Sequence, residues 1–85
     1  MSETFAQSWS SVEELYKIEP KLKEIAEKAI AFKNKRSHTL RVNAYTDAKL
    51  ESDELVGWGA RDPRLRSSEA YDCFTDYILK ELRLW

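Results

Sequence analysis

The sequence is poor in the residues that build disulfides, metal sites and sheet turns. Among 85 residues it has one cysteine, Cys73, and one histidine, His38, too few for an intramolecular disulfide or a Cys/His zinc site. Two glycines, two prolines and 11 residues of Val, Ile and Thr are also few for a β-sandwich. No metal and no cofactor are therefore predicted, and the composition favours helices.

Long apolar runs and a one-sided charge are missing as well. No run approaches the ~18 apolar residues of a membrane-spanning helix, and Met1 to Ser10 has neither the basic nor the apolar region of a secretory signal. We therefore expect a cytoplasmic protein without a membrane partner. The formal charge of −1 excludes a strongly basic nucleic-acid coat.

Helical periodicity is clear near both ends of the chain. Ser10 and Glu13 have the spacing of a capping box, and a stripe of apolar residues follows at Leu22, Ile25, Ala26, Ala29 and Phe32. Pro20 predicts a kink or a restart within this first helix. Ser67 or Ser68 is expected to cap the last helix, whose apolar side carries Ala70, Phe74, Tyr77, Ile78 and Leu82.

The middle of the chain, from Thr39 to Ala60, fits two structures. Leu40, Val42 and Ala44 alternate as in a strand, but a hairpin would need a turn between Tyr45 and Leu55, where the chain has no Gly or Pro. A helix from about Thr39 to Val56 is therefore favoured. The predicted fold is an all-α three-helix bundle, with an α+β helix–hairpin–helix as the alternative. Residues 1–9 are expected to form a flexible or loosely docked segment, and residues 10–85 a single domain.

Basic residues are concentrated in two places. Residues 21–41 carry a net charge of +5 and residues 57–66 carry +2. The first basic cluster is Lys33, Lys35, Arg36, His38 and Arg41; the second is Arg61, Arg64 and Arg66. If the two converged, they could hold a phosphate backbone, which makes nucleic-acid binding the alternative function.

Tryptophan is abundant, and its placement is the main functional signal. Trp9 precedes the first helix, Trp58 stands between two glycines, and Trp85 is the last residue. Filling a small core is the simplest interpretation of these rings. The functional interpretation is contact with a partner, because Trp and Arg dominate protein–protein contact energies.

The start of the chain carries one local resemblance. Glu3-Thr4-Phe5, followed by Trp9 and Val12, resembles the amphipathic helix of tumour-suppressor transactivation segments, which insert three apolar side chains into a ubiquitin-ligase cleft. The resemblance covers about ten residues and implies Phe5, Trp9 and Val12 as anchors. No family relationship is inferred from it.

Catalysis is not predicted. His38 stands between Arg36 and Arg41, and Cys73 has no histidine at helical spacing. The predicted function is a small non-catalytic regulator, adaptor or inhibitor that binds a larger protein, and a homodimer is a separate alternative. The predicted contact residues are Phe5, Trp9, Trp58, Arg61, Arg64, Arg66 and Trp85.

Overall fold

The protein is all-α, as predicted, and the hairpin alternative is wrong. A computed structural model describes residues 12–84, and in this part of the chain it contains helices and no strand. The elements are α1 (Val12–Ile18), α2 (Lys21–Ile30), α3 (His38–Ser52), a single turn of 3₁₀ helix (Pro63–Leu65) and α4 (Ser68–Glu81).

The described residues form four α-helices instead of the three predicted, because the chain restarts at Pro20. Glu19 lies outside a helix, and Pro20 has helical angles (φ −61°, ψ −23°) immediately before α2. Proline disfavours helical geometry in the residue before it but is well suited to the start of a new helix. The restart alternative is therefore confirmed.

The middle helix, α3, ends earlier than predicted. The Ser37 hydroxyl accepts a hydrogen bond from the Leu40 N–H at 3.3 Å and caps its start. The helix stops at Ser52, four residues before Val56. Val56 is nevertheless completely buried. Val56 therefore packs in the core as part of the connection that follows α3, and it is not a residue of the helix.

The core lies between the four helices and the connection from α3 to α4, each of which contributes buried apolar side chains. The most extensive helix contact is between α2 and α3, and α4 contacts α1, α2 and α3. Ser67 caps α4 by accepting the Ala70 N–H at 3.1 Å, as predicted. None of the helices within residues 12–84 is both long enough and apolar enough to cross a membrane. The largest fully buried apolar side chains are Phe74, Leu15, Leu22, Leu65, Ile78, Leu82 and Val56.

Candidate interaction site

Trp58 points into solvent. It is 98% exposed, compared with 66% for Leu50 and 44% for Leu40, the other exposed large hydrophobic residues in the described part of the chain. The interpretation of this ring as core filling is therefore wrong. A large apolar side chain left wholly in water is available to a second molecule.

The turn that carries Trp58 is fixed at both ends. The Ala60 N–H donates to the Gly57 carbonyl at 3.1 Å, so residues 57–60 form a tight turn. The Gly57 N–H donates to the Leu65 carbonyl at 2.8 Å, which ties the turn to the 3₁₀ helix. Val56 and Ala60 are both buried, at 0% and 1% exposure. Trp58 is thus presented on an anchored turn.

The two glycines that flank Trp58 have different roles. Gly57 has φ +90°, a conformation that side-chain-bearing residues rarely adopt. Gly59 lies against the end of α3, where an added Cβ would approach the Asp53 carbonyl oxygen and the Glu54 Cα to 3.2 Å. One glycine therefore permits the backbone angle, and the other permits a close approach.

A groove adjoins the exposed indole. It has a volume of about 320 Å³, and we call it the Trp58 groove. Burial raises the pKa of the Tyr71 hydroxyl, and the nearby Asp53 carboxylate adds to that effect. The groove therefore combines an aromatic and aliphatic lining with charges of both signs. Its lining residues are Asp53, Val56, Gly57, Trp58, Arg66, Ser67, Ser68 and Tyr71.

Arg66 of the second basic cluster lines this groove, and Arg64 and Arg66 hold the connection in shape. Arg64 Nη2 is 2.7 Å from Asp62 Oδ2, and hydrogen bonds from Arg64 lower the pKa of Asp62 to about 2. Arg66 Nε donates to the Ala60 carbonyl next to the tight turn. Arg61 is exposed. Of this cluster, Arg66 lines the Trp58 groove, whereas Arg61 and Arg64 are not among the lining residues.

The first basic cluster lies at the other end of α3. Lys33, Lys35, Arg36 and His38 are exposed there, and His38 is the first residue of the helix. Fifteen helical residues span ~22 Å, and α4 returns alongside α3, so the two clusters lie at opposite ends of this pair. The convergence on which the nucleic-acid alternative was based is not observed.

Arg41 of the first cluster contacts the end of α4 directly. Its Nη1 donates to the carbonyls of Leu82, at 2.7 Å, and Arg83, at 3.3 Å. Arg83 has φ +60° and ends the helix in a left-handed residue. The last carbonyls of a helix have no hydrogen-bond partner within the helix, and a positively charged side chain stabilises them. Arg41 therefore has a structural role, which differs from the anion contact predicted for it.

Of the residues considered for catalysis, His38 is exposed at the start of α3 and Cys73 is half-buried in α4. Burial raises the pKa of the half-buried Cys73 thiol, and Asp76 and Glu14 raise it further, which disfavours the reactive thiolate. Among residues 12–84, no three His, Cys, Asp or Glu side chains are grouped closely enough to hold a metal ion.

Three predicted contact residues, Phe5, Trp9 and Trp85, lie outside the described residues, as does the predicted N-terminal segment 1–9. Val12, the third anchor implied by the transactivation-segment resemblance, is only 9% exposed and belongs to the core. A buried side chain cannot insert into another protein's cleft, so that part of the resemblance is wrong.

Sequence reasoning missed Tyr71 and Asp53 as parts of the site. Tyr71 belongs to α4 and Asp53 follows α3, so only the tertiary fold brings them to Trp58. The detectable signal was a tryptophan between the chain's only two glycines. No protein-family model, curated protein or solved structure matches this chain. The site is therefore defined by its geometry and chemistry.

Proposed function

We propose that this chain is a small non-catalytic protein-interaction module that regulates, adapts or inhibits a larger protein by binding it through Trp58. The observation that carries the proposal is the 98% exposure of Trp58 on an anchored turn. The surface consists of Trp58, the Trp58 groove and the adjacent arginines Arg61, Arg64 and Arg66. Phe5, Trp9 and Trp85 stay in the proposal as contacts predicted from the sequence alone.

The energetic argument starts from the indole. Burying a tryptophan removes ~150–250 Å² from water, and at about 25 cal/mol per Å² this amounts to roughly 4–6 kcal/mol before the costs of association. The anchored turn limits one of those costs, because the backbone that carries Trp58 is already positioned when a partner arrives. A preorganised aromatic anchor beside arginines is typical of a binding hot spot.

The experiment compares Trp58→Ala with Leu50→Ala as a matched control. Both variants remove an exposed hydrophobic side chain, but Leu50 lies outside the Trp58 groove. Proteins recovered from the native host by the wild-type chain would be identified by mass spectrometry and purified for titration. Trp58→Ala should then weaken binding about 30-fold, or ~2 kcal/mol, whereas Leu50→Ala should change it little.

Folding controls separate this proposal from a structural role of Trp58. Because the ring contacts almost nothing in its own chain, Trp58→Ala should change the free energy of unfolding by less than about 0.5 kcal/mol. Undiminished partner binding by a folded Trp58→Ala protein would refute the proposal. So would a large loss of stability, because the ring would then belong to the packed structure.

Nucleic-acid binding is the alternative, and it has weaker support. Arg41, Arg64 and Arg66 donate hydrogen bonds to other groups of the same protein. The two basic clusters also lie apart. A titration with DNA and RNA at low salt should show no binding that falls steeply as salt is added.

Location is also part of the proposal. We place the protein in the cytoplasm on the ground that the single cysteine is a free, half-buried thiol, which suits a reducing compartment. A fluorescently tagged chain in the native host would test this directly.

A further inference from the structure

The charges around the Trp58 groove are mixed in sign. Asp53 and Arg66 both line it, and Glu54 and Arg61 follow nearby in the connection. A ligand segment of one charge sign would meet a like charge in this lining. A surface that carries both an acidic and a basic residue can instead be complementary to a copy of itself turned through a two-fold axis.

The same face holds both a projection and a depression. Trp58 projects from the turn, and the groove beside it has a volume of about 320 Å³, which is sufficient for a single aromatic side chain. In a two-fold pair every contact occurs twice, so each indole can enter the other copy's groove. In the single chain Trp58 is one of the lining residues and is 98% exposed, so its indole does not fill the groove.

We propose that the protein forms a two-fold homodimer in which Trp58 of each copy fills the Trp58 groove of the other. Asp53 of one copy then faces Arg66 of the other, and this pairing is repeated across the axis. This inference uses the same surface as the proposed function but does not depend on it. A larger partner would have to displace the second copy, so dimerisation would regulate access to Trp58.

The first test is the mass of the purified chain in solution. Sedimentation equilibrium from about 1 µM to about 1 mM should show a monomer–dimer equilibrium, which Trp58→Ala weakens at least about 10-fold and Leu50→Ala leaves unchanged. Circular dichroism melting confirms that each variant is folded. A wild-type chain that stays monomeric up to about 1 mM, or a Trp58→Ala dimer of unchanged affinity, would overturn the proposal.

The second test uses charge reversal to establish whether Asp53 of one copy pairs with Arg66 of the other. Asp53→Lys and Arg66→Glu should each weaken the homodimer, because like charges then face each other twice. Mixing the two variants should restore dimers, since the mixed pair has opposite charges at both contacts. Failure of the mixture to dimerise, with both variants folded, would contradict the pairing.

The two proposals fail in distinguishable ways. The mass measurements contain no partner, so a monomeric wild-type chain refutes the dimer and leaves partner binding intact. Conversely, a Trp58-dependent dimer combined with Trp58-independent partner capture refutes only the proposed function.

Discussion

The two ends of α3 are joined to their neighbours in different ways, although both connections are rich in basic residues. In residues 31–37 every side chain is exposed except the half-buried Phe32. In residues 53–67 the backbone is bent over three fully buried aliphatic side chains, Val56, Ala60 and Leu65. The first is a surface turn, whereas the second contributes three side chains to the hydrophobic core.

The difference shows how an exposed residue can be held in a defined place. Lysines and arginines of the first connection have solvent on most sides. Trp58 is just as exposed, but Val56 and Ala60, which flank its turn, are buried, and the Gly57 N–H donates to Leu65 of the 3₁₀ helix. A defined position lowers the entropic cost of binding, which is why the second connection is the better candidate site.

Replacement of Leu65 by alanine should have the largest effect on the stability of the second connection. Leu65 is 1% exposed at the end of the 3₁₀ helix, and its carbonyl holds the Gly57 N–H. Leu65→Ala should lower the free energy of unfolding by about 2–5 kcal/mol, as measured by urea denaturation. A loss below about 0.5 kcal/mol, as is typical of surface positions, would mean that residues 53–67 are an ordinary loop.

Local patterns were enough to predict the helices. The stripe from Leu22 to Ala29 repeats every three to four residues, and both Ser67 and Pro20 act through their own backbone neighbourhood. Such signals act over a few residues, so one sequence suffices to detect them. The all-α class and the start of α4 followed from them.

Long-range contacts could not be predicted in the same way. Arg41 bonds to Leu82, which is 41 positions further along the chain, and nothing in either local sequence indicates the contact. The predicted helix from about Thr39 to Val56 would end next to Gly57, whereas the positive φ of Gly57 belongs to the turn that presents Trp58. In both cases tertiary packing decided between outcomes that local propensity left open.

A substitution at Gly57 sharpens the comparison by disturbing the turn without removing the indole. Gly57→Ala places a side chain at φ +90°, although the nearest atom, in the Tyr71 ring, is 3.6 Å from the new Cβ and does not clash. The expected loss is therefore conformational, about 1–2 kcal/mol in a denaturant titration. Partner affinity should fall as well, because Trp58 is no longer held in position. An unchanged stability would show that the turn tolerates other backbone angles.

The smallest effect is expected in the first connection, where Lys33→Ala/Lys35→Ala removes two exposed cations. Neither side chain is needed to hold the turn, which is closed by backbone hydrogen bonds from Lys33 to Ile30 and from Lys35 to Phe32. The free energy of unfolding should therefore change by no more than about 0.5 kcal/mol. Capture of the protein partner should be unaffected too, since these residues lie at the far end of α3 from Trp58. If the double variant lost binding while Trp58→Ala retained it, the interaction site would have to be moved to the first connection.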